Sequence, residues 1–211
     1  MKLSEAWLRE WVNPTLDGTA LCDKLTMSGL EVEERLAVAG NFSNVVVAEI
    51  LSVTKHPEAD RLNVCQVNIG DVQPVQIVCG AANVRVGMKV PAAKIGAVLS
   101  EKLTIKQAAL RGVDSFGMLC SASELGLTED SQGLLELPID APVGMDVRAF
   151  LQLDDSIIDV SITPNRGDCL SVRGMAREVA ALTRTPMQQV ALSQIPAKIQ
   201  DTFNVDVSAA V

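Results

Sequence analysis

The spacing of apolar positions changes twice along the chain. Up to residue 40 it is helical. Trp7, Leu8, Trp11 and Val12 fall on one helical face, Ser4 stands where an N-cap belongs with Glu5 behind it, and Pro14 stops the helix. Asp17 caps a second helix carrying Leu21, Cys22 and Leu25, with Gly29 as its stop, and Leu30-Glu31-Val32-Glu33 then alternates as a strand. From about residue 41 to 150 the runs are short and β-branched: Val45–Leu51, Leu62–Val67, Val75–Cys79, Lys89–Ala93 and Leu103–Leu110. Gly70, Gly80, Gly87, Gly96 and Gly112 punctuate them, and this predicts a small barrel or sandwich. A short helix is expected over Ser121–Leu125, ended by Gly126. Beyond 150, Ile158–Thr163 alternates as a strand closed by Pro164, and Asn165–Asp168 is a turn. A helix then begins at Ser171 or Asp168, with Val172, Met175, Val179 and Leu182 as its buried stripe. Thr202–Val207 starts one more strand and stops, so the chain reads as a piece of something longer.

Composition refines this picture. The 211 residues suit one or two domains, and 48% hydrophobic with 21% charged residues excludes wholesale disorder. Aromatics make up only 3%, with no Tyr, so the core must be aliphatic. The net charge of −8 excludes a generally basic nucleic-acid binder but leaves room for a local patch. Such a patch exists: Arg85, Lys89, Lys94, Lys102, Lys106 and Arg111 face Glu101 alone over that stretch. A phosphate backbone calls for such a run, because each Lys or Arg displaces a condensed counterion; a solvated barrel face shows the same run. Arg173, Arg177 and Arg184 form a helical stripe that suits a solvated or subunit-facing edge, or RNA. The middle segment offers only Phe42, Phe116 and Phe150 for stacking on bases, so RNA contact there would go to backbone and shape.

Several chemistries are excluded. His56 is the only histidine, which rules out His-x-x-x-His zinc motifs, and its Pro57 neighbour suits a loop histidine that caps backbone. Neither Gly-x-x-x-x-Gly-Lys-[Ser/Thr] nor Gly-x-Gly-x-x-Gly occurs. Cys22, Cys65, Cys79, Cys120 and Cys169 are scattered without a Cys-x-x-Cys pair, which reads as free buried thiols in a reducing compartment and no metal site. No apolar run approaches the ~18–20 residues of a spanning helix, and the N-terminus lacks a signal-peptide core.

The string His56-Pro57-Glu58-Ala59-Asp60-Arg61-Leu62-Asn63-Val64-Cys65 resembles the opening of the tRNA-binding module shared by several synthetases and their cofactors. Ile77–Arg85, Ala109–Ser121 and Glu124–Leu127 continue the resemblance. The flanks Lys2–Leu8 with Trp11-Val12, Asp159–Ser171 and Gly174–Leu182 resemble the β subunit of bacterial phenylalanyl-tRNA synthetase, so the likeness covers about residues 1–190. It implies an α+β chain: an OB-fold β-barrel at about 41–150 inserted into a small discontinuous α/β domain formed by 1–40 and 151–195. Residues 196–211 would begin the next domain.

The resemblance further implies an α2β2 heterotetramer in the cytoplasm that attaches phenylalanine to its tRNA using ATP and magnesium, with the aminoacylation site on the α subunit. This chain would then hold no catalytic residue, no cofactor and no metal. Its partners would be tRNA and the α subunit, with no DNA and no membrane. Arg85, Lys94, Lys106 and Arg111 are the candidates for RNA backbone contact, followed by Asn83 and Ser115 as polar groups of the matched strings. Asn165, Arg166, Asp168, Arg173 and Arg177 are the candidates for subunit contact. A barrel segment without net positive charge also suits a scaffold that packs on protein and touches RNA little.

Overall fold

The structure, a computed structural model, describes residues 1–129, 132–189 and 193–208. It begins with β1 (Lys2–Ser4) and α1 (Glu5–Trp11), where Ser4 Oγ accepts from the Trp7 N–H at 2.9 Å. Leu8 and Val12, four residues apart, are fully buried, whereas Trp7 lies off that stripe and stays 53% exposed, against the sequence expectation. In α2 (Gly18–Met27) the Asp17 carboxylate accepts from the Ala20 N–H, and Gly29 leaves the helix at φ +92. Next come β2 (Val32–Ala37), β3 (Ser43–His56), β4 (Ala59–Asn68), β5 (Val75–Cys79) and β6 (Lys89–Ser100).

The expected strand Leu103–Leu110 is two short pieces, β7 (Leu103–Thr104) and β8 (Ala108–Leu110). Between them Ile105 turns into the core while exchanging backbone hydrogen bonds with Gly96 and Ala97 of β6, and the chain leaves that strand before β8, which pairs with β9 instead. β9 (Val113–Ser115) and β10 (Gly117–Leu119) follow. Ser121–Leu125 forms turns, not a helix: the Ser121 N–H and hydroxyl both donate to the Glu124 carboxylate. The last helices and strand among the described residues are α3 (Val147–Phe150), β11 (Ser156–Val160), a 3-10 turn at Pro164–Cys169 and α4 (Val172–Thr183), which Ser171 caps. Thr202–Val207 joins no ladder, and Phe203, Val205 and Val207 are exposed.

The strands form two principal antiparallel sheets. One has the order β1-β11-β2, and the other runs β10-β6-β3-β4-β5 with β7 on β6; β8 and β9 pair as a separate hairpin. β3 is the spine. Its first half pairs with β6 and its second half with β4, with a register shift between Ile50 and Ser52. Val45 and Val47 enter one aliphatic cluster with Phe42 and Leu99, and Val46, Ala48 and Ile50 enter another with Val67 and Ile77. Burial on both faces explains the unbroken apolar run, since a strand with one wet face would alternate. No ladder joins β10 to β5, so the sheet curls without closing into the expected barrel. Hydrogen bonds nevertheless bridge that side, among them Phe116 N–H to the Gln76 carbonyl at 2.8 Å and Val78 N–H to Ser115 Oγ at 3.1 Å. A third cluster holds Leu8, Val12, Leu21, Leu25, Ile158, Val160, Met175 and Val179, so residues from both ends of the chain share one core. The chain leaves and re-enters this sheet at adjacent positions, Ala37 opposite Ser156.

Candidate nucleic-acid interface

The basic stretch from Arg85 to Arg111 is built from the β5–β6 connection, β6 and the β8–β9 hairpin. Arg85 is exposed and ion-paired with Glu136. Lys94, in β6 opposite Gly117, is half-buried and pairs with Asp71 at 3.0 Å. Lys106 is exposed just ahead of β8. Arg111 occupies the tip of the hairpin, and one of its N–H groups donates to the Glu58 carbonyl at 3.2 Å. Arg85, Lys94 and Arg111 thus lean on three different segments. Exposed pairs of this kind are worth ~0–1 kcal/mol, so a phosphate can displace the carboxylates at little cost.

The polar candidates are placed differently. Asn83 Nδ2 donates to the Leu134 carbonyl at 3.0 Å and its Oδ1 accepts from the Leu134 N–H at 2.9 Å, which clamps that segment to the β5–β6 connection. Ser115 is buried; its hydroxyl accepts from Val78 and donates to the Gly117 carbonyl. An open cleft of 320 Å³ lies nearby, lined by Val78, Cys79, Gly80, Met118, Ser121 and Glu124 among others. Its charged group is acidic, so it does not suit a phosphate.

The hairpin itself is held from several directions. His56 is buried; its Nδ1 accepts from the Glu58 N–H at 3.1 Å, which leaves the proton on Nε2 to donate to the Leu110 carbonyl at 2.9 Å. His56 caps backbone as expected, but from the last position of β3 and not from a loop. Gln76 Nε2 donates to the Asp114 carbonyl at 2.8 Å. Charge counting missed these neutral supports, because a hydrogen bond between residues 54 apart leaves no local sequence signal.

The second candidate set lies at the other sheet. Arg166 donates to Asp168 at 3.2 Å, to Glu178 at 2.7 Å and to Cys169 Sγ. Those acceptors raise the guanidinium pKa, and Arg166 in turn holds the Asp168 carboxyl below its ordinary range. Asp168, Cys169 and Glu178 lie close enough to hold a cation, but the guanidinium already fills their centre. Asn165, Arg173 and Arg177 are exposed, the last two on the solvent side of α4.

Nucleophilic chemistry has little to work with among the described residues. Burial pushes the Cys120 thiol up to about 12 and Cys65 to about 11, and it raises Cys22, Cys79 and Cys169 too. Such thiols are protonated and inert near neutrality. Both nitrogens of His56 serve backbone groups. The arrangement is suited to donating charge-assisted hydrogen bonds to anionic oxygens. No helix among the described residues is long and apolar enough to cross a membrane.

Residues 45–146 match a family model described as a putative tRNA binding domain. The chain is 60% identical over 192 residues to the phenylalanine–tRNA ligase beta subunit of Psychrobacter arcticus, covering 89% of this chain and 24% of that protein. It is 56% identical over 205 residues to the same subunit of Acinetobacter baylyi, covering 97% of this chain and 26% of that protein. The chain thus spans about a quarter of the length of the curated relatives it matches. Among solved structures, the C-terminal domain of Plasmodium vivax p43 is 24% identical at a TM-score of 0.36, covering 53% of this chain and 64% of that chain. A MetRS related protein from Pyrococcus horikoshii is 25% identical at the same TM-score, covering 47% of this chain and 84% of that chain.

Proposed function

Because the chain belongs to the family of phenylalanine–tRNA ligase beta subunits, we propose that it is the RNA-holding, non-catalytic part of such a subunit. The observation that carries this reading is the family match over residues 45–146, the span that contains the spine strand β3 from Val45 onward and the whole basic stretch. In this reading residues 41–150 are an OB-fold inserted between 1–40 and 151–195, which together form the small second domain. The whole enzyme attaches phenylalanine to its tRNA in the cytoplasm, with ATP and magnesium acting at the partner α subunit in an α2β2 assembly.

The binding chemistry is electrostatic. Arg85, Lys94, Lys106 and Arg111 meet backbone phosphates, and each contact releases counterions. The scarcity of aromatics leaves sequence reading to other parts of the enzyme. Asn165, Arg166, Asp168, Arg173 and Arg177 serve subunit contact, with the Arg166 network fixing the shape of that corner.

A second reading has its own support. The chain carries −8, and Arg85 and Lys94 already have carboxylate partners. In that reading the sheet is a scaffold that packs on protein. Titrating the chain with a phenylalanine-specific tRNA across a salt series separates the two. The RNA reading expects binding at ~10⁻⁶ M or tighter with a steep negative log–log salt slope. Absence of binding at the lowest salt replaces it with the scaffold.

A further inference from the structure

We propose that His56 is the positioning residue of the RNA surface: it latches the β8–β9 hairpin to the β3–β4 turn so that Arg111 is presented to a phosphate. This rests on the RNA reading above.

Two observations carry it. The first is the turn. Leu110 pairs with Val113, so the hairpin loop is Arg111-Gly112 alone, with φ of +45 and +82. A two-residue loop with both φ values positive favours Asn-Gly or Gly-Gly, and an arginine there is strained, because its Cβ crowds the following carbonyl. Strain kept at a turn tip points to a use for the side chain.

The second is the latch. The hairpin has three residues per strand, and β8 is exposed throughout. An isolated hairpin of that length is not stable in water. Its tip is held by the bond from His56 Nε2 to the Leu110 carbonyl, immediately before Arg111, and by Arg111 itself on the Glu58 carbonyl. His56 is one of three buried polar or charged residues of the chain's described part, and it ties two segments 54 residues apart. Its other nitrogen caps Glu58, so one imidazole fixes both the turn and the hairpin that rests on it.

The two nitrogens separate cleanly by substitution. A glutamine amide reaches the position of Nε2 and keeps the donor to Leu110; an asparagine amide reaches only that of Nδ1 and keeps the acceptor for Glu58. The chain and its His56→Gln, His56→Asn and Arg111→Gln variants are titrated with a phenylalanine-specific tRNA transcript, and amide exchange is followed over residues 108–115. His56→Asn is expected to lose about as much tRNA affinity as Arg111→Gln, roughly three- to tenfold, with faster exchange at the hairpin and unchanged exchange in the β3–β4 ladder. His56→Gln is expected to stay within about twofold of the parent on both readouts. Should His56→Asn bind like the parent while its hairpin exchanges faster, the latch does not serve RNA and the proposal is overturned, with the RNA reading left standing. Should His56→Gln be the weaker variant, His56 acts through the turn and the proposal falls. If the parent chain does not bind tRNA at all, the RNA reading fails first, which the parent titration alone reveals.

Discussion

An arginine held in left-handed backbone geometry and an asparagine whose amide is spent on a single partner residue set two opposite expectations at the scale of the residue. Arg111→Asn suits the turn better, so its urea midpoint is expected to rise by the equivalent of about 1 kcal/mol while tRNA affinity falls. A stability gain without loss of affinity would deny Arg111 its role. Asn83→Ala removes both bonds to the backbone of Leu134, itself buried, and is expected to destabilise the chain by about 2 kcal/mol in the same denaturation assay. The sequence showed where positive charge accumulates along the chain, Arg85, Lys94 and Arg111 included. It did not show that their partners are Glu136, Asp71 and the Glu58 carbonyl, because those lie 51, 23 and 53 residues away.

At the scale of the element, local signals served well where local chemistry decides. Ser4 and Asp17 cap the helices they are expected to cap, and of the two candidates Ser171 and Asp168 it is Ser171 that caps α4, since a cap needs only neighbours three residues on. The strands Val75–Cys79 and the start of β6 were legible from their runs. β7 to β10 were not, because these short pieces owe their form to Ile105 entering the core and to the His56 and Gln76 bonds. Trp7 was misplaced because the buried stripe of α1 is narrower than the run of apolar residues. α4 gives a sharp test of its docking. A Cβ at Gly174 would stand 1.9 Å from the Asp168 carbonyl oxygen, which is backbone of the preceding turn. Gly174→Ala is therefore expected to cost about 3 kcal/mol in thermal or urea unfolding, despite the better helix propensity of alanine.

For the whole molecule, an aliphatic core with buried thiols sets a response to alkali. Burial raises the pKa of Cys120 in the folded state to about 12, whereas the unfolded thiol sits near ~8.5. The folded state then binds the proton more tightly, so this contribution is fully present below about pH 8 and is lost as pH rises toward the folded value. Each pH unit between the two removes up to about 1.4 kcal/mol. Urea midpoints measured at about pH 7.5, 9 and 10 should fall in that order, and Cys120→Ala should flatten the decline.

The first sheet adds a matter of timing. Its middle strand, β11, lies at the far end of the chain from β1 and β2, and even the terminal ammonium of Met1 donates to the Val160 carbonyl. A chain emerging from the ribosome releases Leu8, Leu21 and Leu25 long before Ile158, Met175 and Val179 arrive to cover them. Closing a loop of roughly 120 residues against an unfolded excursion would cost about 4 kcal/mol in chain entropy. Once the excursion has folded, Ala37 and Ser156 already stand side by side. The segments made before the excursion are thus completed only after it.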